Sequence, residues 1–266
     1  MVSRHIDPSN LPDQYVDTHV HTKFCGHAIG DMEEYVLAAL AKGLGKITFL
    51  EHMEEGIISP VTTWLSETDF DVFFSEGERL RGKYGDRINI GMGVECGFNP
   101  DAIDGLRARL ARRSWDQIGI SCHYLKVPEF DRHINLFSRK ADNIHLAQQI
   151  GWETLMDLYL KTLSEAVRQL PGTLLCHLDG ALRHLPAMPL TSSQYAAIEE
   201  LLLAAGDKGM AIEVNTSGIT MRGEPFPSRR ILAMIRHQGT PLVLGSDAHK
   251  PEDVGRYFAE AATFLP

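Results

Sequence analysis

The sequence predicts an α/β barrel whose active site lies at the carboxyl ends of its strands. Seven short apolar runs each end in a residue able to bind a metal ion or a phosphate, and they cover residues 15–19, 47–52, 88–95, 117–123, 173–177, 210–215 and 241–247. In a barrel of parallel strands these ends all meet at one face. Histidines buried only for packing would not keep to one end of every strand.

Helical segments separate the runs, as crossovers between parallel strands require. In the first segment Asp31 and Glu34 form a capping-box pattern, and Gly43 is a suitable stop. The apolar stripe of this helix comprises Tyr35, Leu37, Ala38 and Leu40. Further helices are predicted over residues 70–84, 101–113, 152–170, 192–205, 228–238 and 252–264. Seven strands with about seven helices indicate a closed or nearly closed barrel.

Residues 124–150 interrupt this alternation after the fourth strand. The segment is polar and poorly periodic, so it forms either a lid over the active site or a plain surface excursion. The rest of the chain shows no internal repeat, low-complexity tract or Pro/Gly/Ser-rich linker. We therefore expect residues 1–266 to form a single barrel domain that carries this insertion.

Charge and hydropathy restrict the partners and the location of the protein. With 35 acidic and 26 basic residues the chain has a net charge of −9, and no run of Lys and Arg exceeds a pair. This composition argues against nucleic acid as a partner. The amino-terminal residues lack the apolar core of a signal peptide, and no segment approaches the ~20 apolar residues of a membrane span. We expect a cytoplasmic protein, whereas the sequence does not indicate its oligomeric state.

Four cysteines, Cys25, Cys96, Cys122 and Cys176, are widely spaced and form no CxxC pair. This spacing fits a reducing compartment and argues against a disulfide framework. Each cysteine lies within two residues of a candidate metal ligand. They could serve as spare thiolate ligands, but small buried cysteines near strand ends more often pack in the core.

A pair of histidines follows the first predicted strand. Alternation of side chains along an extended backbone places His19 and His21 on the same side, where both could bind one ion at about 2.0–2.2 Å. Such an HxH pair is a weak signal by itself. Here it is followed by His27 and matched near the other end of the chain by Asp247 and His249, and the combination is far more specific.

A carboxylate, Glu95, ends the third strand and would point into the barrel mouth. Burial of an unpaired charge is costly, so Glu95 requires either metal ions, which a carboxylate can bridge, or an arginine partner. The second, fourth and fifth strands end in His52, His123 and His177. The complete set of candidate ligands is His19, His21, His27, His52, Glu95, His123, His177, Asp247 and His249.

This set exceeds what one tetrahedral ion can use, so it predicts two or three divalent ions. Such ions polarise a phosphoryl oxygen, lower the pKa of bound water so that hydroxide forms near neutral pH, and stabilise a leaving oxygen. Hydrolysis of a phosphate ester is the reaction that uses all three effects. A small phosphorylated molecule is therefore the expected substrate.

Short motifs spread from about residue 16 to residue 255 carry a family resemblance. They are DTHVHT at 17–22, EH at 51–52 and GSDAH at 245–249. Together they resemble the PHP family, named for polymerase and histidinol phosphatase. FCGH at 24–27, CHLD at 176–179, EVNTSG at 213–218 and SDAHKPEDVG at 246–255 further resemble its monofunctional histidinol-phosphate phosphatases.

The resemblance implies a distorted (β/α)7 TIM-like barrel with a site for three ions of Zn, Mn or Fe. A hydroxide held between ions would attack phosphorus without a covalent enzyme intermediate. The implied ligands are His19, His21, Glu95 and Asp247 for the first ion, Glu95, His123 and His177 for the second, and His27, His52 and His249 for the third.

The resemblance also implies that arginines hold the phosphate, for which the candidates are Arg183 and Arg222. Each could instead form a surface ion pair. The expected catalytic set consists of these two arginines with Asp247 and His249. The proton donor to the leaving group stays open between His249, Asp179 and a metal-bound water.

The leading hypothesis is a phosphomonoesterase of histidine biosynthesis that hydrolyses L-histidinol phosphate to L-histidinol and phosphate. Its cationic substrate would suit an acidic rim that includes Glu54, Glu55 or Glu213. The alternative is a PHP phosphoesterase for a nucleotide or sugar phosphate, because residues 126–151 match no pattern associated with histidinol phosphate.

Three other classes of protein fit less well. A PHP exonuclease would be expected to carry a basic groove for its nucleic acid. An amidohydrolase shares the HxH pair and a late aspartate, but it would not explain Glu95 and would need a bridging lysine. A metal-binding module without activity would be expected to have lost at least one of the nine ligands.

Overall fold

Seven parallel strands form one curved sheet in a computed structural model of the protein, which describes residues 12–127, 130–181, 183–184 and 189–265. The strands of the described chain are β1 Val16–Val20, β2 Lys46–Met53, β3 Asn89–Gly97, β4 Gln117–Ser121, β5 Tyr124–Lys126, β6 His133–Asn135, β7 Leu174–Leu175, β8 Ala211–Asn215 and β9 Leu242–Gly245. The order in the large sheet is β1-β2-β3-β4-β7-β8-β9, so every run predicted as a strand is present in chain order.

The first and last strands meet just beyond the end of β9. The backbone N–H of His21 donates to the carbonyl of Ala248 at 2.9 Å, and the N–H of Asp247 donates to the carbonyl of His19 at 2.9 Å. These bonds bring the edges of the sheet together into a nearly closed barrel. The predicted fold class, a TIM-like α/β barrel with seven strands, is confirmed.

A buried carboxylate, Asp17 on β1, strengthens this closure. It accepts hydrogen bonds from the backbone N–H groups of His19 at 3.3 Å, Ser246 at 3.0 Å and Gly255 at 2.8 Å. Two of these donors belong to the chain that follows β9. Asp17 therefore ties the first strand to the segment after the last one.

Helices cover the outside of the barrel and follow most of the predicted boundaries. They are α1 Met32–Ala41, α2 Glu67–Tyr84, α3 Ile103–Leu110, α4 Ala141–Ile150, α5 Trp152–Gln169, α6 Ser192–Asp207, α7 Ser217–Arg222, α8 Arg229–Gln238 and α9 Phe258–Ala261. The predicted capping box of α1 is confirmed, because the N–H of Asp31 donates to Glu34 Oε2 at 2.7 Å. Within the described residues, no helix combines the length and apolar character that crossing a bilayer requires.

The continuous helix predicted over residues 252–264 is wrong. This region contains a 3₁₀ turn at Pro251–Asp253, the four-residue α9, and a second 3₁₀ turn at Ala262–Phe264. Gly255 and Tyr257 interrupt it with φ angles of 61° and 58°, which a right-handed helix does not allow. The prediction over residues 101–113 was too long, since α3 ends at Leu110.

The insertion after β4 has more regular structure than its polar composition suggests. Strands β5 and β6 pair antiparallel, with Tyr124 opposite Asn135, and α4 follows them. Ile134, Leu136 and Leu146 of this segment are buried. The insertion therefore packs its apolar side chains into the protein.

We expect Asp17→Ala to lower the free energy of unfolding by about 3 kcal/mol, because the N–H groups of His19, Ser246 and Gly255 lose their acceptor. Denaturant unfolding followed by circular dichroism measures the change. Asp86→Ala is the control, since Asp86 lies exposed in the turn after α2, and we expect a change below about 0.5 kcal/mol. Equal unfolding midpoints for the two variants would contradict this account of barrel closure.

Candidate metal centre

A cleft of about 560 Å³ opens at the carboxyl ends of the barrel strands. Its floor contains seven of the nine candidate ligands, His27, His52, Glu95, His123, His177, Asp247 and His249. The other two, His19 and His21, are fully buried beneath them. The structure thus brings all nine predicted ligands into one cluster.

The first group surrounds the HxH pair. Nε2 of His19 and Nε2 of His21 are 2.9 Å apart, and each lies 3.5 Å from Oε2 of Glu95. Oδ1 of Asp247 lies 3.4 Å from Nε2 of His21. Two imidazole nitrogens and two carboxylate oxygens therefore point at one small volume.

A second group faces the other oxygen of Glu95. Nε2 of His123 lies 3.0 Å and Nε2 of His177 lies 2.6 Å from Oε1 of this carboxylate. Each oxygen of Glu95 therefore has its own set of histidines. This is the arrangement expected of a carboxylate that bridges two cations.

The third group lies closer to the surface of the cleft. Nε2 of His27 and Nε2 of His249 are 2.9 Å apart. The ring of His52 lies 5.2 Å from that of His27, and its buried Nε2 has no hydrogen-bond partner. Because Nδ1 of His52 lies 3.0 Å from Oε2 of Glu95, this ring stands between the third group and the bridging carboxylate.

Two buried carboxylates fix the orientation of histidines in the first two groups. Nδ1 of His19 lies 2.8 Å from Oε1 of Glu213, and Nδ1 of His123 lies 2.7 Å from Oε1 of Glu54. A carboxylate accepts from each Nδ1, so Nδ1 keeps its hydrogen, and once Nε2 has lost its proton each ring presents the lone pair of Nε2 to the cluster. Such carboxylate–histidine pairs are typical of metal sites.

Backbone carbonyls fix the rings of His27 and His249, in the third group, in the same way. Nδ1 of His27 donates to the carbonyl of Cys25 at 3.1 Å, and Nδ1 of His249 donates to that of Asp247 at 3.0 Å. In the neutral rings the two Nε2 lone pairs then face each other at 2.9 Å. Facing lone pairs repel unless a cation lies between them, so the donor set fits divalent ions such as zinc.

The roles of Glu54 and Glu213 differ from the acidic rim expected from the sequence. Both side chains are buried and orient histidines, while Glu55 pairs with Arg109 at 3.2 Å outside the cleft. A side chain at Gly97 would collide with Glu54, and one at Gly245 would collide with Glu213. Glycines at the ends of β3 and β9 therefore make room for the orienting carboxylates. These glycines could be recognised from the sequence only if the register of the strands were known.

Backbone strain is concentrated at two of the candidate ligands. His177 has a φ angle of 25° and Asp247 has one of 50°, values that are uncommon for residues other than glycine. The N–H of His177 donates to Oε2 of Glu213 at 2.7 Å, which holds this conformation. Strain of this kind persists where the surrounding structure imposes it and is typical of functional sites.

The charged groups of the cluster shift one another's pKa values. Burial alone would raise the pKa of Glu95, but the nearby His123 and His52 hold it well below its usual value. Burial would lower the pKa of His123, yet Glu95 and Glu54 raise it to about 10. Histidines bind metals in the neutral form, so loading the site releases protons to solvent.

The two predicted phosphate-binding arginines have different surroundings. Arg183 lines the cleft, where Nη1 lies 3.7 Å from Oδ2 of Asp247 and the guanidinium lies 4.3 Å from the ring of Phe137. Arg222 does not line the cleft, because its Nη2 is held by both oxygens of Asp179 at 3.0 and 3.1 Å. Arg222 thus forms an ion pair beside the cleft, which is the alternative that the sequence left open for this residue.

Comparison with known proteins assigns the fold and site to a class. The family model described as the PHP domain matches residues 17–217, so the protein belongs to the PHP domain family. The chain is 28% identical over 254 residues to a probable histidinol-phosphatase of Deinococcus radiodurans, covering 92% of this chain and 90% of that one. It is 24% identical over 259 residues to a histidinol-phosphatase of Bacillus subtilis, covering 90% of this chain and 95% of that one.

Solved structures share the same fold. A histidinol phosphate phosphatase of Lactococcus lactis, solved with zinc, L-histidinol and phosphate, superposes with a TM-score of 0.76 at 20% identity, covering 94% of this chain and 92% of that one. A structure from Listeria monocytogenes superposes with a TM-score of 0.84 at 20% identity, covering 92% of this chain and 99% of that one. At these identities the likeness shows the fold.

We expect Glu213→Gln to weaken zinc binding by about 10–100-fold, because loss of an outer carboxylate disturbs the ligand that it orients. The carbonyl of a glutamine could accept from His19 or from the N–H of His177, while its NH₂ group would face the other donor. Competition with a chromophoric chelator measures the affinity. Glu200→Gln, on the exposed face of α6, is the control and should bind zinc like the parent protein. Equal affinities in the two variants would remove Glu213 from the metal centre.

Proposed function

We propose that the protein is a metal-dependent phosphomonoesterase that hydrolyses L-histidinol phosphate to L-histidinol and phosphate, a step of histidine biosynthesis. The observation that carries this proposal is the bridging position of Glu95, whose two oxygens face separate sets of histidine nitrogens. Relatives named histidinol-phosphatase over about nine-tenths of the chain support the substrate.

The nine candidate ligands fit three divalent ions of Zn, Mn or Fe. His19, His21, Glu95 and Asp247 would hold the first, Glu95, His123 and His177 the second, and His27, His52 and His249 the third. Bound there, the ions supply Lewis acidity that polarises a phosphoryl oxygen and makes water acidic enough to lose a proton near neutral pH. Zinc in the related Lactococcus lactis structure supports this element.

Arg183 would bind the phosphate. Its side chain is only 12% exposed and lies at the cleft floor beside Asp247, between the rings of Phe137 and Phe226 at 4.3 and 5.2 Å. The aromatic faces stabilise the cation and exclude water around it. A guanidinium held in this way can donate two parallel hydrogen bonds to phosphoryl oxygens.

Among the proton donors considered for the leaving group, the two side chains are already engaged. Asp179 is held by Arg222 and accepts from the N–H of Ser228 at 3.0 Å, and it does not line the cleft. Nδ1 of His249 donates to a carbonyl, while its Nε2 faces His27. We therefore propose that the leaving alcohol takes its proton from water in the cleft.

The insertion at residues 124–150 would act as a lid and specificity loop on a single barrel domain spanning residues 1–266. Its residues Tyr124, Asn135, Phe137 and Asn143 line one wall of the cleft. Phe137 contacts the metal centre directly, since its ring lies 4.9 Å from that of His177 and 5.1 Å from that of His123. Closure of this wall would select the alcohol and separate the bound ester from bulk solvent.

A second candidate function is supported by the charge of the same wall. Arg132, Arg139 and Lys140 line the cleft, and within the described part of the chain none of these cations forms a salt bridge. Unpaired cations would favour a substrate with more negative charge than histidinol phosphate. A nucleotide or sugar phosphate would meet this condition.

The net charge and the cysteines of the protein support a proposal for its compartment and its class of substrate. We propose that it works in the cytoplasm on a small dissolved substrate and not on nucleic acid. The net charge of −9 opposes binding to a phosphate backbone. The four cysteines are all unpaired, as is typical of a reducing compartment.

Phosphate release from L-histidinol phosphate by zinc- or manganese-loaded protein tests the proposal. We expect kcat/KM near or above ~10⁴ M⁻¹s⁻¹, well ahead of p-nitrophenyl phosphate and a nucleoside monophosphate. Faster turnover of the nucleotide would replace the named substrate and favour the second candidate. Absence of hydrolysis from fully metallated protein would overturn the phosphatase assignment.

We expect Arg183→Met to lower kcat/KM about 10–100-fold, which corresponds to the loss of one or two charge-assisted hydrogen bonds. Arg222→Met is the matched control, because Arg222 pairs with Asp179 beside the cleft. We expect this control to change kcat/KM less than about threefold, since it removes an ion pair and not a phosphate ligand. Steady-state kinetics at constant metal content make the comparison, and a larger effect for Arg222→Met would reverse the two roles.

A further inference from the structure

Cys25 lies within the third group of candidate ligands. One ligand atom from each of Cys25, His27, His52 and His249 can be chosen so that all four lie within 4.8 Å of one another. Cys25 ends a short 3₁₀ turn, and Gly26, with a φ angle of 74°, then turns the chain so that His27 joins the same group. The close spacing of these four side chains is a product of the local fold.

The third group differs from the other two in charge. Glu95 provides an oxygen to each of the first two groups, and Asp247 adds another to the first. The third group contains neutral imidazoles, and Oδ1 of Asp247 approaches His249 at Nδ1, 3.6 Å away, the nitrogen that already donates to a carbonyl. Three imidazoles leave the fourth position of a tetrahedral zinc ion open and bring no negative charge to offset that of the ion.

Three nitrogens of the third group lack a hydrogen-bond donor or acceptor, which indicates that the group binds a cation. The Nε2 lone pairs of His27 and His249 face each other, as their hydrogen-bonded Nδ1 atoms require. His52 is about nine-tenths buried, and its Nε2 has no hydrogen-bond partner. An ion would satisfy all three nitrogens, and a thiolate would complete a tetrahedron around it.

We propose that Cys25 is the fourth ligand of the third ion and binds it as a thiolate. Sγ of Cys25 donates to the carbonyl of Thr22 at 3.2 Å. On metal binding the S–H bond breaks, a metal–sulfur bond forms and the proton passes to solvent, with no change of oxidation state. This inference rests on the proposed third metal position, but not on the identity of the substrate.

The other cysteines lack this environment. Cys176 groups with His19 and Glu213, but there Nδ1 of His19 is satisfied by Glu213 at 2.8 Å and offers no lone pair. Cys96 and Cys122 join no metal-binding group among the residues described. A sulfur ligand would also distinguish the third position chemically, because thiolates favour zinc over manganese.

Absorption spectroscopy of the cobalt(II)-loaded full-length protein tests the proposal. Thiolate bound to cobalt(II) gives a charge-transfer band in the near ultraviolet, whereas imidazole and carboxylate ligands do not. We expect the band in the parent protein and in the control variants Cys176→Ser and Cys122→Ser, and its loss in Cys25→Ser. Metal content is measured in each variant, so that loss of the band is separated from loss of cobalt.

The outcomes are distinct. A band that persists in Cys25→Ser, or that disappears in Cys176→Ser instead, would overturn the assignment while leaving the phosphatase proposal intact. Should Cys25→Ser fail to fold, X-ray absorption of the zinc-loaded parent protein still decides, because a Zn–S distance of about 2.3 Å is separate from Zn–N distances of about 2.0–2.1 Å. A spectrum without sulfur would overturn the proposal, and a parent protein that binds no metal would instead remove the proposed function.

Discussion

The buried carboxylate of Glu95 is the constraint on which the rest of the structure depends. It is 1% exposed, and both of its oxygens face imidazole nitrogens. A charge at this depth is stable only beside cations, and the surrounding imidazoles can supply them either as imidazolium groups or by binding metal ions. The strands that surround Glu95 each end in a side chain that meets this requirement, so the chemistry of the cleft follows from the need to neutralise one anion.

Groups behind the candidate ligands fix the orientation of the imidazole rings. Glu54, Glu213 and two backbone carbonyls hold the outer nitrogens of four rings, which leaves the inner lone pairs aimed at the cluster. The left-handed backbone at His177 and Asp247 is held against its local preference by the same contacts. Orientation is thus fixed before any ion arrives, which reduces the cost of ordering the ligands on binding.

Reasoning from the sequence located the barrel and placed the nine candidate ligands at one face, because residues that end parallel strands must meet there. It did not locate partners that depend on three-dimensional register. Arg222 follows a plausible turn but is captured by Asp179, and Glu54 looked like a rim residue although a glycine on the neighbouring strand lets it turn inward. The helix and hairpin of the insertion, and the interrupted helix near residue 255, depend on packing and backbone angles that composition does not encode.

Closure of the barrel determines when, during synthesis and folding, the sets of candidate ligands become complete. His19 lies on β1 and His21 follows it directly, while Asp247 and His249 follow β9, so side chains from the two edges of the sheet share one site. A chain still emerging from the ribosome lacks Asp247 and His249, so the proposed first and third metal positions each remain one ligand short until the last strand has been made. Metal binding would therefore follow the joining of the two edges of the sheet. Bound ions would then stabilise the closed barrel against unfolding.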